Sequence, residues 1–124
     1  MSKHKVYSTI GKENGRYCKI DAFIPNFGEI HESIISVTNV GGETFSFMIS
    51  MVRWNNNRVF CKLVNGNYLS GFSLYYKVDT GKFSLYLKAE WYARIVVSKL
   101  GIPYQTTIEM IDSIPSDVKS LTLN

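Results

Sequence analysis

The sequence predicts an all-β protein: an antiparallel, jelly-roll-like β-sandwich of about ten short strands with negligible helix. Three observations carry this. First, Phe72, Leu74, Tyr76 and Val78 alternate with Ser73, Tyr75 and Lys77, and after a turn at Asp79, Thr80 and Gly81, Phe83, Leu85 and Leu87 alternate with Ser84, Tyr86 and Lys88. Period two on both sides of a glycine-bearing turn is a β-hairpin with one buried face, because a helix with its 3.6-residue repeat would scatter those side chains around its circumference. Second, turn residues recur at intervals of about 8–12 positions, the spacing of sandwich and barrel strands. Third, no window carries the helical period; only residues 88–94 could hide a helical turn.

Taken in order, residues 5–10 form a short strand and 11–15 a polar turn ending in Asn14-Gly15. Residues 17–24 alternate with Cys18, Ile20, Ala22 and Ile24 on one face, and Pro25-Asn26 stops the run. A loop over 27–32 holds Glu29 and His31, and a β-rich run follows over 33–40. Gly41-Gly42 reads as a two-residue hairpin turn. Residues 44–54 place Phe45, Phe47, Ile49 and Met51 on one face. Asn55, Asn56 and Asn57 turn the chain, since Asn tolerates positive φ. Residues 58–64 return with Val59, Cys61 and Leu63 inward, and Asn65, Gly66 and Asn67 turn again. The 71–100 meander, a strand over 104–111 and a last short strand over 118–123 complete the chain. The predicted core is Phe45, Phe47, Ile49, Phe72, Leu74, Phe83, Leu85, Leu87, Ile95 and Val97.

At 124 residues the chain is one domain, 1–124, long enough to bury a core without metal or disulfide. Charged residues are 19%, so much of the polar surface must come from Ser, Thr, Asn and Tyr, a surface suited to neutral partners such as sugars or to other subunits. The net charge is +4, but the fourteen Lys and Arg form no dense strip, which argues against nucleic acid as a partner. The N-terminal stretch has no apolar signal core, and no window is long enough to cross a bilayer, so neither a signal peptide nor membrane insertion is expected. Cys18 and Cys61 stand apart, outside any C-x-x-C or zinc spacing, and read as small buried reduced thiols.

No nucleophile-bearing motif, P-loop or H-E-x-x-H occurs, so the reading is against an enzyme, with no cofactor and no metal. Glu29, His31 and Glu32 could bind a metal or act as acid and base, but a solvated charged loop explains them as well. Binding chemistry points elsewhere. Trp54 ends a strand beside Asn55, Asn56 and Arg58, and Trp91 and Tyr92 stand at a bend. Aromatic rings flanked by amides and Arg suit a sugar, whose apolar face stacks on the ring while the amides take its hydroxyls. Tyr75 and Tyr86 lie mid-strand on the face opposite the core, as in a subunit interface. A ligand site, an interface and ordinary packing all remain open for these residues.

Three stretches carry a resemblance: GRYCKIDAFIPN (15–26), KFSLYLKAEWYARIVVSKLG (82–101) and IDSIPSDVKSLTLN (111–124). Together they resemble the C-terminal tip domains of tail-fibre and receptor-binding proteins of tailed phages and prophages of low-GC bacteria. In that family the final Pro-Ser is often followed by Gly, where this chain has Asp117. The resemblance implies a homotrimeric β-sandwich in the virion tail, beside other virion tail proteins, that attaches to a host surface glycan or protein. No receptor residue carries over. The alternatives are a structural trimerisation, capping or decoration domain without receptor binding, and a carbohydrate-binding module of a secreted enzyme.

Overall fold

Residues 5–10, 17–24, 26–100 and 106–123 are described by a computed structural model. They form ten strands and no helix: β1 (Lys5–Ile10), β2 (Tyr17–Phe23), β3 (Ile30–Asn39), β4 (Thr44–Val52), β5 (Arg58–Asn65), β6 (Phe72–Asp79), β7 (Lys82–Ala89), β8 (Ala93–Leu100), β9 (Thr106–Ile111) and β10 (Lys119–Ser120). Two five-stranded antiparallel sheets, ordered β1-β8-β3-β4-β5 and β10-β6-β7-β2-β9, pack face to face. The pairs β1 with β8 and β2 with β7 are nested, as when one long hairpin folds over on itself, which is the jelly-roll element. The runs β3–β4–β5 and β6–β7 are plain hairpins.

The core lies between the sheets, and all ten predicted core residues are buried in it. Phe45 and Phe47 of one sheet meet Phe72 of the other, with centroids 5.1 and 5.8 Å apart, and Tyr68 packs against Phe45 at 5.3 Å. Cys18 and Cys61 are both buried, and no disulfide joins them.

Several local expectations change. The expected 27–32 loop ends at Glu29, because β4 is nine residues long and its last residues pair with Ile30 and His31. His31 therefore points into the core, 2% exposed, with Nε2 3.1 Å from Ser33 Oγ. The β3–β4 turn is not a two-residue one. Asn39 O accepts from Gly42 N, Asn39 N donates to Glu43 O, and only Gly42 of the glycine pair has positive φ. That is a three-residue loop with a bulge. The 55–57 turn forms without any positive φ, as no described non-glycine residue adopts one. Residues 90–92 make a bend, not a helical turn. The last strand shrinks to Lys119–Ser120; Leu121 N still donates to Leu74 O at 2.9 Å, and half-buried Leu121 and Leu123 pack against the core.

The sheet order implies a strap. β9 and β10 occupy opposite edges of one sheet, so residues 112–118 must cross it. Ile111 is level with Tyr17, and Lys119, through Tyr76 and Leu85, with Ile20. Four strand spacings and a three-residue climb make a diagonal of roughly 22 Å. The link can span only about 26–29 Å fully extended, so it has no slack to go round the end. Its inner side is filled by the other sheet, and the segment therefore lies across the outer face. There Ser84 and Tyr86, on the side of β7 away from the core, are 2% and 3% exposed. Ser84 Oγ donates to Asp21 Oδ1 at 2.5 Å, and Lys19 Nζ stands 3.4 Å from Asp21 Oδ2. At the far end Asp117 pairs with Lys77 at 3.0 Å, which holds the ammonium pKa above and the carboxyl pKa below their ordinary values.

Two outcomes test this arrangement. Leu85→Ala should destabilise the domain by about 2–5 kcal/mol in chemical denaturation, the range for a buried Leu truncation. A chain ending after Ile111 should melt at lower temperature and lose hydrogen-exchange protection in β6 and β7 first; unchanged protection there would mean that the strap does not cover them.

Candidate functional site

At the end of the β3–β4 hairpin, residues 26–29 extend the pairing beyond the strands. Gly28 N donates to Arg53 O at 2.6 Å and Arg53 N to Glu29 O at 3.0 Å. Asn26 N donates to Glu29 Oε1 at 2.9 Å, which closes the loop on itself. Arg53 reaches back to donate from its guanidinium to Ile24 O at 2.9 Å. The loop is thereby clamped to the root of Trp54.

Gly28 has φ of 87°, a left-handed conformation that disfavours other residues, and a methyl group there would meet the Trp54 ring at 3.3 Å. The indole lies against this bare backbone and stacks on Phe27, with centroids 4.8 Å apart and planes 24° from parallel. Trp54 and Phe27 nevertheless remain 54% and 57% exposed. Beside them opens a concavity of about 470 Å³ lined by Val52, Trp54, Asn55, Asn56, Arg58 and Phe60. The result is an aromatic ledge beside a concavity whose exposed lining is almost wholly apolar, with Asn55, Asn56 and Arg58 at its border.

Of the six residues expected to contact a ligand, the structure brings four together here. Trp91 and Tyr92 stand apart from them. Trp91 Nε1 donates to Ser70 O at 2.7 Å and the ring packs against the core, so this indole fastens the 90–92 bend to the 70–71 turn. Tyr92 lines a separate concavity of about 430 Å³ with Thr38, Asn39, Val40, Ala93 and Arg94, next to the β3–β4 turn. That is the opposite end of β4 from Trp54, about 30 Å away for nine residues. Tyr75 and Tyr86 do pair across the β6–β7 hairpin on the outer face. Tyr86 is buried by its own chain, however, and Tyr75 is half-buried. Glu29, His31 and Glu32 diverge: His31 points inward, Glu32 accepts from Ser50 Oγ at 3.2 Å on the outer face, and Glu29 closes the 26–29 loop.

Phe27 and Phe60 belong to this region and were not anticipated. Phe27 falls in an irregular loop, where periodicity is silent. Its signal was the Phe-Gly pair itself, an apolar ring beside a residue suited to close ring approach. Phe60 lies on the polar face of its strand and was legible as an exception to alternation.

Cys61 has a different role. Its Sγ is 3.2 Å from Tyr68 Oη, and burial pushes both the thiol and the phenol pKa up. The thiol form therefore dominates at neutral pH, and Cys61 should react with a disulfide reagent only at the rate of unfolding. Reductant should leave the melting temperature unchanged. Fast labelling of the folded protein at pH 7 would contradict this burial.

No family model, no curated protein and no solved structure matches this chain.

Proposed function

We propose that the domain is an attachment module that takes a neutral stretch of surface polysaccharide on the Phe27–Trp54 ledge, as the tip domain of a phage tail fibre or baseplate protein would. The observation that carries this is the stacked pair itself, held in place by Gly28 and left open beside Asn55, Asn56 and Arg58. An indole fixed in advance loses little freedom on binding, so more of the stacking energy appears as affinity. The concavity beside it is apolar, as the face of a pyranose is, and Asn55, Asn56 and Arg58 at its border carry donors and acceptors for hydroxyls. The resemblance of the three sequence stretches supplies the setting: the virion tail, with other tail proteins as neighbours and a host surface as target.

A second reading is a structural assembly or capping domain with no receptor. Exposed Ile30, Phe60 and Val64 on the outer face of the β1-β8-β3-β4-β5 sheet favour it, since an interface would cover them.

An array of bacterial cell-wall and capsular polysaccharides separates the two. Binding should be detected, should quench the emission of exposed Trp54 and should fall about tenfold or more in Trp54→Ala. Tyr92→Ala, at the other end of the sandwich, should bind as the unsubstituted chain does. Binding that survives Trp54→Ala sinks the ledge as the site, and an array with no signal leaves the assembly reading in its place.

A further inference from the structure

The concavity beside the ledge continues into two others. A second, of about 310 Å³, lies in the seam between the sheets, with Phe60 of β5 on one side and Tyr76, Ser120 and Thr122 on the other. A third, of about 300 Å³, follows at the end of β6, bordered by Asn57, Lys77, Asp79, Asp117 and Lys119. The three adjoin one another. Phe60 borders both the first and the second, and Tyr76 both the second and the third. Asn57 of the third follows Asn56 of the first in the β4–β5 turn. Together they surround the start of β5. From Asn57 to Cys61 the strand climbs about 14 Å, more than the length of one sugar ring.

We propose that these three concavities are one binding groove, and that its occupant is a linear, uncharged polysaccharide held over several consecutive sugar units. One unit lies on the Phe27–Trp54 ledge, and the chain passes over Phe60 into the seam. The inference rests on the polysaccharide reading and adds to it the length and the charge of the stretch recognised.

Three observations fit that occupant. The first is the order of the linings. Next to Trp54 the wall is apolar; in the seam the exposed hydroxyls of Ser120 and Thr122 enter; at the end of β6 the wall is mainly polar. A glycan chain presents the same two surfaces, apolar ring faces and hydroxyl-bearing edges, whereas an acyl chain would leave the polar end unmatched.

The second is charge. At the far end Lys77 and Lys119 stand with Asp79 and Asp117, and Lys77 Nζ is 3.0 Å from Asp117 Oδ2. These charges cancel, and only Arg58 is left over among the residues that border the groove. A polyanion is recognised by a run of one sign, which this lining does not form.

The third is that the seam is fixed before anything binds. Leu121 N donates to Leu74 O at 2.9 Å, and the Lys77–Asp117 pair holds the chain just ahead of Lys119. The 119–122 wall is thereby tied to β6, so little ordering is left to oppose binding.

Oligosaccharides of increasing length, released by partial hydrolysis from the polysaccharide that scores on the array, test this by titration calorimetry. Affinity should rise about tenfold or more from the shortest to those long enough to enter the seam. Thr122→Arg, which sets a long side chain in the seam, should abolish this gain with an unchanged far-UV circular dichroism spectrum, while Trp54→Ala should weaken every member. In the unsubstituted chain, the amide resonances of residues 119–122 should shift with long members and not with the shortest. Equal affinity along the series, a gain that survives Thr122→Arg, or amide shifts confined to residues 54–58 would overturn the groove and leave the ledge in place. Preference for uronate- or phosphate-bearing polysaccharides over neutral ones would overturn the occupant. An array without signal would overturn the groove and the polysaccharide reading together.

Discussion

The contact on which the rest depends is the edge-to-face meeting of Phe45 and Phe72, one from each sheet, with ring planes 75° apart. Sheet packing alone leaves two faces free to slide. Interlocked rings do not, because each must leave its rotamer well or open a void before the sheets can shift. Phe47 and Tyr68 close around the same point, and Tyr68 is delivered there by the segment that carries the chain from β5 across to β6. The crossing is thus anchored in the cluster that it helps to complete. β4 inherits this rigidity: its first residues are held by the aromatic cluster and its last by Met51 in the core, so Trp54 projects from a fixed base.

The second organising feature is that β7 is buried on both sides, unusual for an antiparallel sheet whose outer face would ordinarily meet water. Its inward Phe83, Leu85 and Leu87 satisfy the hydrophobic requirement alone. Its outward Ser84 and Tyr86 are polar, and a cover over them must leave them partners. Asp21 meets the Ser84 hydroxyl, and Lys19 bridges Asp21 and, at 4.0 Å, Glu109. These cross-strand polar contacts let a mostly irregular segment lie over the face without stranding buried donors. Covering one face this way leaves the molecule asymmetric, with Ile30, Phe60 and Val64 exposed among polar residues on the outer face of the other sheet.

This explains how far the sequence could be read. Alternation names which side of a strand a residue is on, and it does so well: every predicted core position faces inward. It does not say what lies on that side. Tyr75 and Tyr86 were placed on the correct face, but Tyr86 is buried because a segment more than twenty residues later crosses it, a non-local fact absent from any window. Turn positions were legible for the same local reason, while turn geometry was not. Gly41-Gly42 offers two flexible residues, and the Asn39 side chain, which accepts from Glu43 N, selects the longer loop. Trp54 and Trp91 looked equivalent as aromatics at strand ends. What separates them is a carbonyl at Ser70 within reach of one indole and not the other.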